Sequence, residues 1–394
     1  MIPRLSRRAL AVPLALCSRL VLYRNSAEEV GGRDSRDVNE LRKDPGMAII
    51  DLARRTTPAA VAMLAALACL APADAELAVR VTLDRKIDGP MAPFFLAIDK
   101  GYYKDEGLDV TFDTASASPL DPVKALAAGK SDLAVADINM LIRFRDATAS
   151  PIKALFTVFD KPAYAIIARR SRGITIPKDL EGKKLGAPLA DDAFAQWPIF
   201  AKMNGIDGPK VKIENVGLPV REPMLAAGEV DAITGCAFTS YVNLKDHGVP
   251  PDDLLVLEMA DYGVMVYGDA IMGAPKFVLE KPDAVRGFLR AYVKALKDTV
   301  RDPERALDAV LRRADAARKD VELERLRMAI RDNIVTPAVK AAGYGGIDPQ
   351  RFADAIDQIA FAYQFKAKNK AVEAFDPSFL PAAAERRVVD ATAR

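Results

Sequence analysis

The chain has 394 residues, half of them apolar and 28% charged, with 56 Lys+Arg against 54 Asp+Glu and a formal net charge of +2. That balance excludes a disordered chain and a disulfide-dense miniprotein, and it gives no electrostatic reason for a nucleic-acid or anionic-membrane partner. The single histidine, His247, and three cysteines without zinc-type spacing (Cys17, Cys69, Cys236) argue against a metal site, while the length fits about two to three domains.

Residues 47–75, MAIIDLARRTTPAAVAMLAALACLAPADA, have the layout of a secretory signal. Arg54-Arg55 is a basic start, Pro58 to Leu70 an apolar or small run, and Ala73-Asp74-Ala75 a small-x-small cleavage site before Glu76. The run is short for a bilayer span. Residues 1–46 then read as a non-native N-terminal extension with Met47 as the true start; a first signal beginning at Met1 is the alternative. Sec and twin-arginine export both stay open, and the poor lipoprotein box around Cys69 argues against a lipid anchor. Removing residues 1–75 leaves 45 basic against 46 acidic residues and one cysteine, Cys236. No intramolecular disulfide is then possible, which is compatible with a bacterial periplasm.

From Leu77 onward, strands and helices alternate. Leu77–Leu83 reads as a strand, Ala92–Asp99 as a helix, Leu108–Phe112 as a strand, Pro122–Gly129 as a helix and Leu133–Ala136 as a strand. Lys153–Phe159 and Ala163–Ala168 add two strands. The pattern restarts after a turn at Pro177–Leu180: strand Lys184–Gly186, helix Ala193–Asn204, strand Lys212–Val216, helix Arg221–Ala227, strand Ala232–Thr234. Residues 127–133 (AAGKSDL) and 226–232 (AAGEVDA) repeat one another. From Pro275 the chain is mostly amphipathic helix, as in Pro282–Arg301 and Val321–Ile334. The expectation is an α/β protein of two doubly wound lobes with a central ligand cleft and a helical C-terminal region. Lobe 1 would comprise 76–170 plus 268–394, and lobe 2 residues 171–267. No GxxxxGK[ST] or GxGxxG motif occurs, so no cofactor is expected.

Candidate ligand contacts lie in loops after strands, where a pocket needs a few polar groups among apolar walls. They are Arg85 and Asp88 in the first loop, Ser116 in the second, Asp137 and Asn139 at the end of the third strand, and Asp160 near the lobe crossover. In the second lobe they are Asp191, Gln196, Trp197, Arg221, Cys236 and Tyr262. Several have plain structural alternatives: Asp137 as a helix cap, Trp197 as core. Asp88, Asp137, Asp191 and Asp261 favour a ligand with N–H donors, whereas Arg85, Lys161 and Arg221 favour an anion.

Three segments carry a family resemblance: FLAIDKGYYKDEGLDV (95–110), ALAAGKSDL (125–133) and PKDLEGKKLG (177–186). In this order the chain resembles the periplasmic substrate-binding proteins of the nitrate/sulfonate/taurine and pyrimidine-precursor importers, which are type II periplasmic binding proteins. The resemblance implies a monomeric solute-binding component that passes a sulfonate, carboxylate or pyrimidine-like heterocycle to a membrane permease and ATPase. Where a close branch carries a ring-stacking tryptophan, this chain has Arg85. Yeast-type pyrimidine synthases of this fold use a cysteine cluster and a substrate histidine; here there is Thr234-Gly235-Cys236-Ala237 instead. An enzyme of heterocycle biosynthesis and a solute sensor are the rival readings. A serine or cysteine triad lacks its usual base, since His247 sits at a helix end.

Overall fold

The computed structural model describes residues 76–114, 120–189, 191–365 and 372–388. The expected signal and extension (1–75) and Ser116 lie outside the described residues. Two five-stranded sheets form the two lobes. The first contains β1 (Leu77–Leu83), β2 (Leu108–Thr114), β3 (Leu133–Asp137), β4 (Lys153–Thr157) and β10 (Asp269–Gly273), in the order β2-β1-β3-β10-β4. The second contains β5 (Tyr164–Arg169), β6 (Lys184–Ala187), β7 (Lys212–Asn215), β8 (Ala232–Cys236) and β9 (Leu254–Glu258), in the order β7-β6-β8-β5-β9. In each sheet four strands run in one direction, and the fourth position is held by a strand antiparallel to both of its neighbours. The α/β architecture of two doubly wound lobes with a helical C-terminal region is as the sequence implied.

The antiparallel strands are exchanged. β5 follows the first lobe's strands yet pairs with β8 and β9, and β10 follows the second lobe's strands yet pairs with β3 and β4. This corrects the expected boundary at residue 170: the chain crosses before Tyr164, because β5 finds its hydrogen-bond partners in strands that come later in sequence. Each sheet is thereby closed by a strand delivered from the other lobe's side. The crossovers also bond to each other, with Gly268 N donating to Phe159 O at 3.1 Å and Val158 N to Asp269 O at 2.7 Å.

The repeated AAGxxD segment has a physical reason. In both lobes a helix ends on a glycine with positive φ, Gly129 (67°) after α2 (Asp121–Ala127) and Gly228 (77°) after α5 (Arg221–Ala227). A side chain would strain that left-handed cap. The aspartate three residues on clamps the neighbouring strand. Asp132 Oδ2 accepts from Arg80 N at 2.9 Å, and Asp231 Oδ2 accepts from Lys184 N at 2.9 Å. Each aspartate also donates its own N–H to the carbonyl of the same residue. The motif sets strand register in both lobes.

Helices cover the sheets. The apolar stripe of α7 (Pro282–Arg301), including Val285, Phe288, Leu289, Tyr292 and Leu296, is buried against α1 (Ala92–Asp99) and β2. Tyr292 lies 4.4 Å from Phe94 and 5.5 Å from Phe156, ring centre to ring centre. Truncating such a buried ring costs about 3–5 kcal/mol.

Two helices differ from the sequence reading. The stretch read as one helix over 193–204 breaks at Gln196 into a single turn, Asp192–Ala195, and α4 (Trp197–Met203). Pro198 explains the break: it has no N–H for an unbroken helix and its ring would crowd the carbonyl four residues back. The helix expected at 321–334 is α9 (Lys319–Ala329), which runs into a wider π turn at Ile330–Ile334.

Candidate functional site

A cavity of about 370 Å³ opens between the lobes. Its walls come from the residue ends of strands: Asp84 and Arg85 after β1, Asp269 at the start of β10, Asp191 and Asp192 after β6, and Cys236 at the end of β8. Phe159, Tyr164 and Phe238 supply flat apolar surface, with Phe159 and Phe238 meeting edge to face at 6.1 Å. Leu218 lies at the mouth, 52% exposed.

On the first-lobe side, one guanidinium serves three carboxylates. Arg85 Nη1 donates to Asp269 at 2.6 Å and to Asp84 at 3.2 Å, and Nε donates to Asp88 at 3.3 Å. Its carbon lies 5.6 Å from the Phe159 ring centre. The shared charge is too little for the acids present. Burial, opposed by Arg85, pushes the Asp84 carboxyl up to about 7, and burial also raises Asp88. Asp137 faces Asp269 across the β3–β10 ladder. Burial and that neighbouring negative charge push it up to about 8.

The second-lobe side is better balanced. Arg221 Nη2 donates to Glu222 at 2.8 Å and to Ser240 at 3.2 Å, while Nη1 lies 3.5 Å from Asp191. Ser240 donates to Glu222 at 2.7 Å and Thr234 to Asp191 at 2.7 Å. Against the cost of burial, Arg221 holds Glu222 below its usual range. Gly235 permits this packing: a Cβ there would lie 2.5 Å from Ser240 Oγ and 3.2 Å from the Arg221 guanidinium carbon. Asp192 differs, having no hydrogen-bond or ion-pair partner among the described residues. Burial, then Asp137 and Asp191, raise its carboxyl well above the usual range. The Cys236 thiol is pushed up to about 11 by burial, so it is protonated at neutral pH.

Of the residues singled out from sequence, Arg85, Asp191, Arg221 and Cys236 line this cavity. Asp88 stands behind Arg85. Asp137 caps α3 (Ile138–Thr148), accepting from Asn139 N at 2.6 Å, and its other oxygen has no partner among the described residues. Asn139 is turned inward, donating to Tyr267 O at 2.7 Å. Asp160 is fastened at the crossover: Arg351 Nη1 donates to its carboxylate at 3.0 Å, Thr336 Oγ1 at 2.6 Å, and Arg351 Nη2 to its carbonyl at 2.7 Å. Gln196 is fully buried at the helix break, Trp197 packs with Phe200 in the core, and the half-buried Tyr262 meets Phe200 from the edge of that core. Lys161 and Asp261 pair with each other at 2.8 Å, outside the cavity lining. Sequence reasoning missed Asp84, Asp269 and Tyr164, while Phe159 and Phe238 stood at the ends of candidate segments without being singled out as contacts. Their signal was position, immediately after or before a strand or crossover. Asp192 stood in a loop already singled out, beside Asp191.

A second cavity, about 460 Å³, lies beside the first and shares Asp191 and Asp192 with it. Met140, Arg143 and Phe144 of α3, Leu189, and Tyr363 and Phe365 at the end of α10 (Pro349–Tyr363) line it. Among the described residues no group of acidic, histidine or cysteine side chains is arranged to hold a metal ion.

The chain matches the profile of the family described as NMT1/THI5 like over residues 89–306, more than half its length. It is 26% identical over 287 residues to the formylaminopyrimidine-binding protein of Halalkalibacterium halodurans, an alignment covering 71% of this chain and 83% of that one. It is 25% identical to the 4-amino-5-hydroxymethyl-2-methylpyrimidine phosphate synthase of Schizosaccharomyces pombe, over 54% of this chain and 62% of the synthase. Among solved structures, the periplasmic aliphatic sulphonate binding protein SsuA from Escherichia coli superposes with a TM-score of 0.59 at 14% identity, over 79% of this chain and 92% of that one. That likeness shows the periplasmic-binding-protein fold.

Proposed function

The chain belongs to the NMT1/THI5-like family, and from that premise we propose that it is the solute-binding component of an ABC importer, taking a flat, N–H-donating heterocycle of the aminopyrimidine type. The carrying observation is a surplus of carboxylates between aromatic walls. Asp84, Asp191, Asp192 and Asp269 line the cavity, and both of its guanidiniums are already engaged by carboxylates. A sulfonate or carboxylate would find one cation outside those pairs, the exposed Lys86, and would otherwise sit against the acids. An amino-substituted ring instead supplies the donors that the acids lack, and its faces rest on Phe159, Tyr164 and Phe238. Both lobes contribute to the cavity, so ligand contacts from both favour the closed arrangement. In this reading the chain is exported to the periplasm after cleavage before Glu76, binds as a monomer and docks on a permease.

The synthase relative supports a second reading, an enzyme on the same fold. It requires a reactive group in the cleft. The cavity's thiol, Cys236, is held protonated, and His247 is exposed at the end of α6 (Ala237–Asp246). Binding without turnover is the reading favoured here.

The test is calorimetric titration of the purified protein with 4-amino-5-hydroxymethyl-2-methylpyrimidine, an alkanesulfonate and nitrate. At 100 times its Kd the true ligand also adds about 2.7 kcal/mol of stability. Binding of the sulfonate alone would overturn the ligand class. Chemical conversion of the bound pyrimidine would overturn the binding-only reading.

A further inference from the structure

The second cavity is walled by Leu120 and α3 from the first lobe, by Leu189, Asp191, Asp192 and Ala195 from the second, and by the end of α10. Its surface is mainly apolar and aromatic. Phe144, Met140, Tyr363 and Phe365 face it, and the Arg143 guanidinium stacks 3.8 Å from the Tyr363 ring centre. Tyr363 Oη donates to Ala195 O at 3.2 Å, which ties the helix end to the second lobe. Leu189 lines the cavity and is 70% exposed, a large apolar side chain left uncovered at its edge. The boundary with the first cavity is formed by Asp191 and Asp192. Asp191 has Thr234 and Arg221, whereas Asp192 has no partner among the described residues. A bare pyrimidine in the first cavity leaves the second cavity unused.

We infer that the site is a double one: it takes a two-part ligand whose flat N–H-donating head occupies the first cavity, whose cationic nitrogen crosses at Asp192, and whose aromatic or apolar substituent enters the second cavity beside Phe144, Leu189 and Tyr363. This rests on the head class proposed above and adds the rest of the molecule. An anionic tail is disfavoured, because Asp192 stands at the junction of the two cavities with no ion-pair partner among the described residues.

The experiment compares three probes by calorimetry on the full chain: 4-amino-2,5-dimethylpyrimidine, 4-amino-5-(benzylaminomethyl)-2-methylpyrimidine, and its neutral benzyl ether. The secondary amine is cationic at pH 7, and burying a phenyl ring gives at least about a tenfold gain. The benzylamine should therefore bind about tenfold or more tighter than the dimethylpyrimidine, with the ether between them. Leu189→Ser alters an exposed residue and so leaves the fold intact; it should reduce the gain of both extended probes and leave the small one unchanged. Asp192→Asn should abolish the preference for amine over ether. Extended probes no tighter than the small one would overturn the inference and leave the head class standing. A Leu189→Ser variant that weakened all three equally would overturn it too. Failure of all three probes to bind would instead bring down the head class, and this inference with it.

Discussion

The two lobes share one strand order and one register-setting motif, yet they present opposite electrostatic situations to the cleft. In the second lobe, Arg221, Glu222, Asp191, Ser240 and Thr234 form a closed network, and Glu222 is held below its usual range. In the first, Arg85 is divided among Asp84, Asp88 and Asp269, and Asp84, Asp88 and Asp137 are all driven upward. Architecture therefore does not fix the character of a binding face. The second lobe is complete without a ligand, while the first lobe and the inter-lobe Asp192 lack positive charge that a ligand can bring.

Removing the arginines tests this most severely. Arg85→Ala and Arg221→Ala each strand buried carboxylates, and each should cost about 3 kcal/mol or more in urea unfolding at pH 7. They should part on acidification. At pH 5 Asp84, already pushed up to about 7, is protonated and most of the Arg85→Ala loss should be recovered. Glu222 keeps Ser240 as a hydrogen-bond donor once Arg221 is gone, and that bond favours its ionised form. The Arg221→Ala loss should thus persist to lower pH than the Arg85→Ala loss. Identical recovery curves would erase the contrast between lobes.

The unmodified protein should show the same asymmetry in its pH dependence. Asp84 at about 7 and Asp137 at about 8 lie above their unfolded values, so between pH 4 and 8 the folded state holds more protons than the unfolded chain. Stability from these two groups is present at low pH and is lost as pH rises through their folded values. The melting temperature should be higher at pH 5 than at pH 8 by several degrees or more. Below the ordinary carboxylate range the sign reverses as Glu222 loses its ionised form. Asp137→Asn should flatten the upper limb. A curve that rises from pH 5 to pH 8 would contradict the upward shifts.

Ligand binding provides a smaller signal from the same source. A donor or cation arriving at Asp84 lowers its carboxyl from about 7, so near pH 7 about half a proton should leave that group on binding. Titration of the aminopyrimidine in two buffers of different ionisation enthalpy measures the release. Asp84→Asn should reduce it by that half proton, whereas Glu222→Gln, in the satisfied network, should not change it.

Local signals made most of the fold legible. Alternation gave β1, the AAGxxD segments marked two helix ends and two strand starts, and the apolar stripe of α7 gave its bounds, Pro282–Arg301. What stayed hidden depends on partners distant in sequence. β5 reads as an apolar strand, but its lobe is decided by antiparallel pairing with β8, and β10 (DAIMG) is too short and small to stand out before β3 and β4 flank it. The site was half visible for the same reason. Asp191 and Arg221 lie beside strands already recognised, while Asp84 and Asp269 meet only when β1 and β10 come together around Arg85. Asp160 and Tyr262 had the right position in the chain and the wrong direction in space: one is fastened by Arg351 and Thr336, the other packs on Phe200.

The contrast between lobes is sharpest inside the cleft and should vanish at its outer edge, where solvent screens charge. There α9 rests on the first lobe through Glu322, which accepts from Gly89 N at 2.7 Å, and reaches α6 of the second. Arg325 donates to Asn243 at 2.6 Å, Lys245 to Glu324 at 2.5 Å, and Arg318 to Asp246 at 3.1 Å. These contacts span the lobes without passing through the crossovers. The Lys245–Glu324 pair is about one-third exposed on both sides, so Lys245→Ala should cost at most about 0.5–1 kcal/mol. A double-mutant cycle with Glu324→Ala measures the coupling, which should disappear in 1 M salt as the screening length falls to about 3 Å. A coupling that large salt concentrations leave untouched would mean that the rim pair is sheltered like Arg221, and that the lobes are held together at their edge as firmly as at their crossovers.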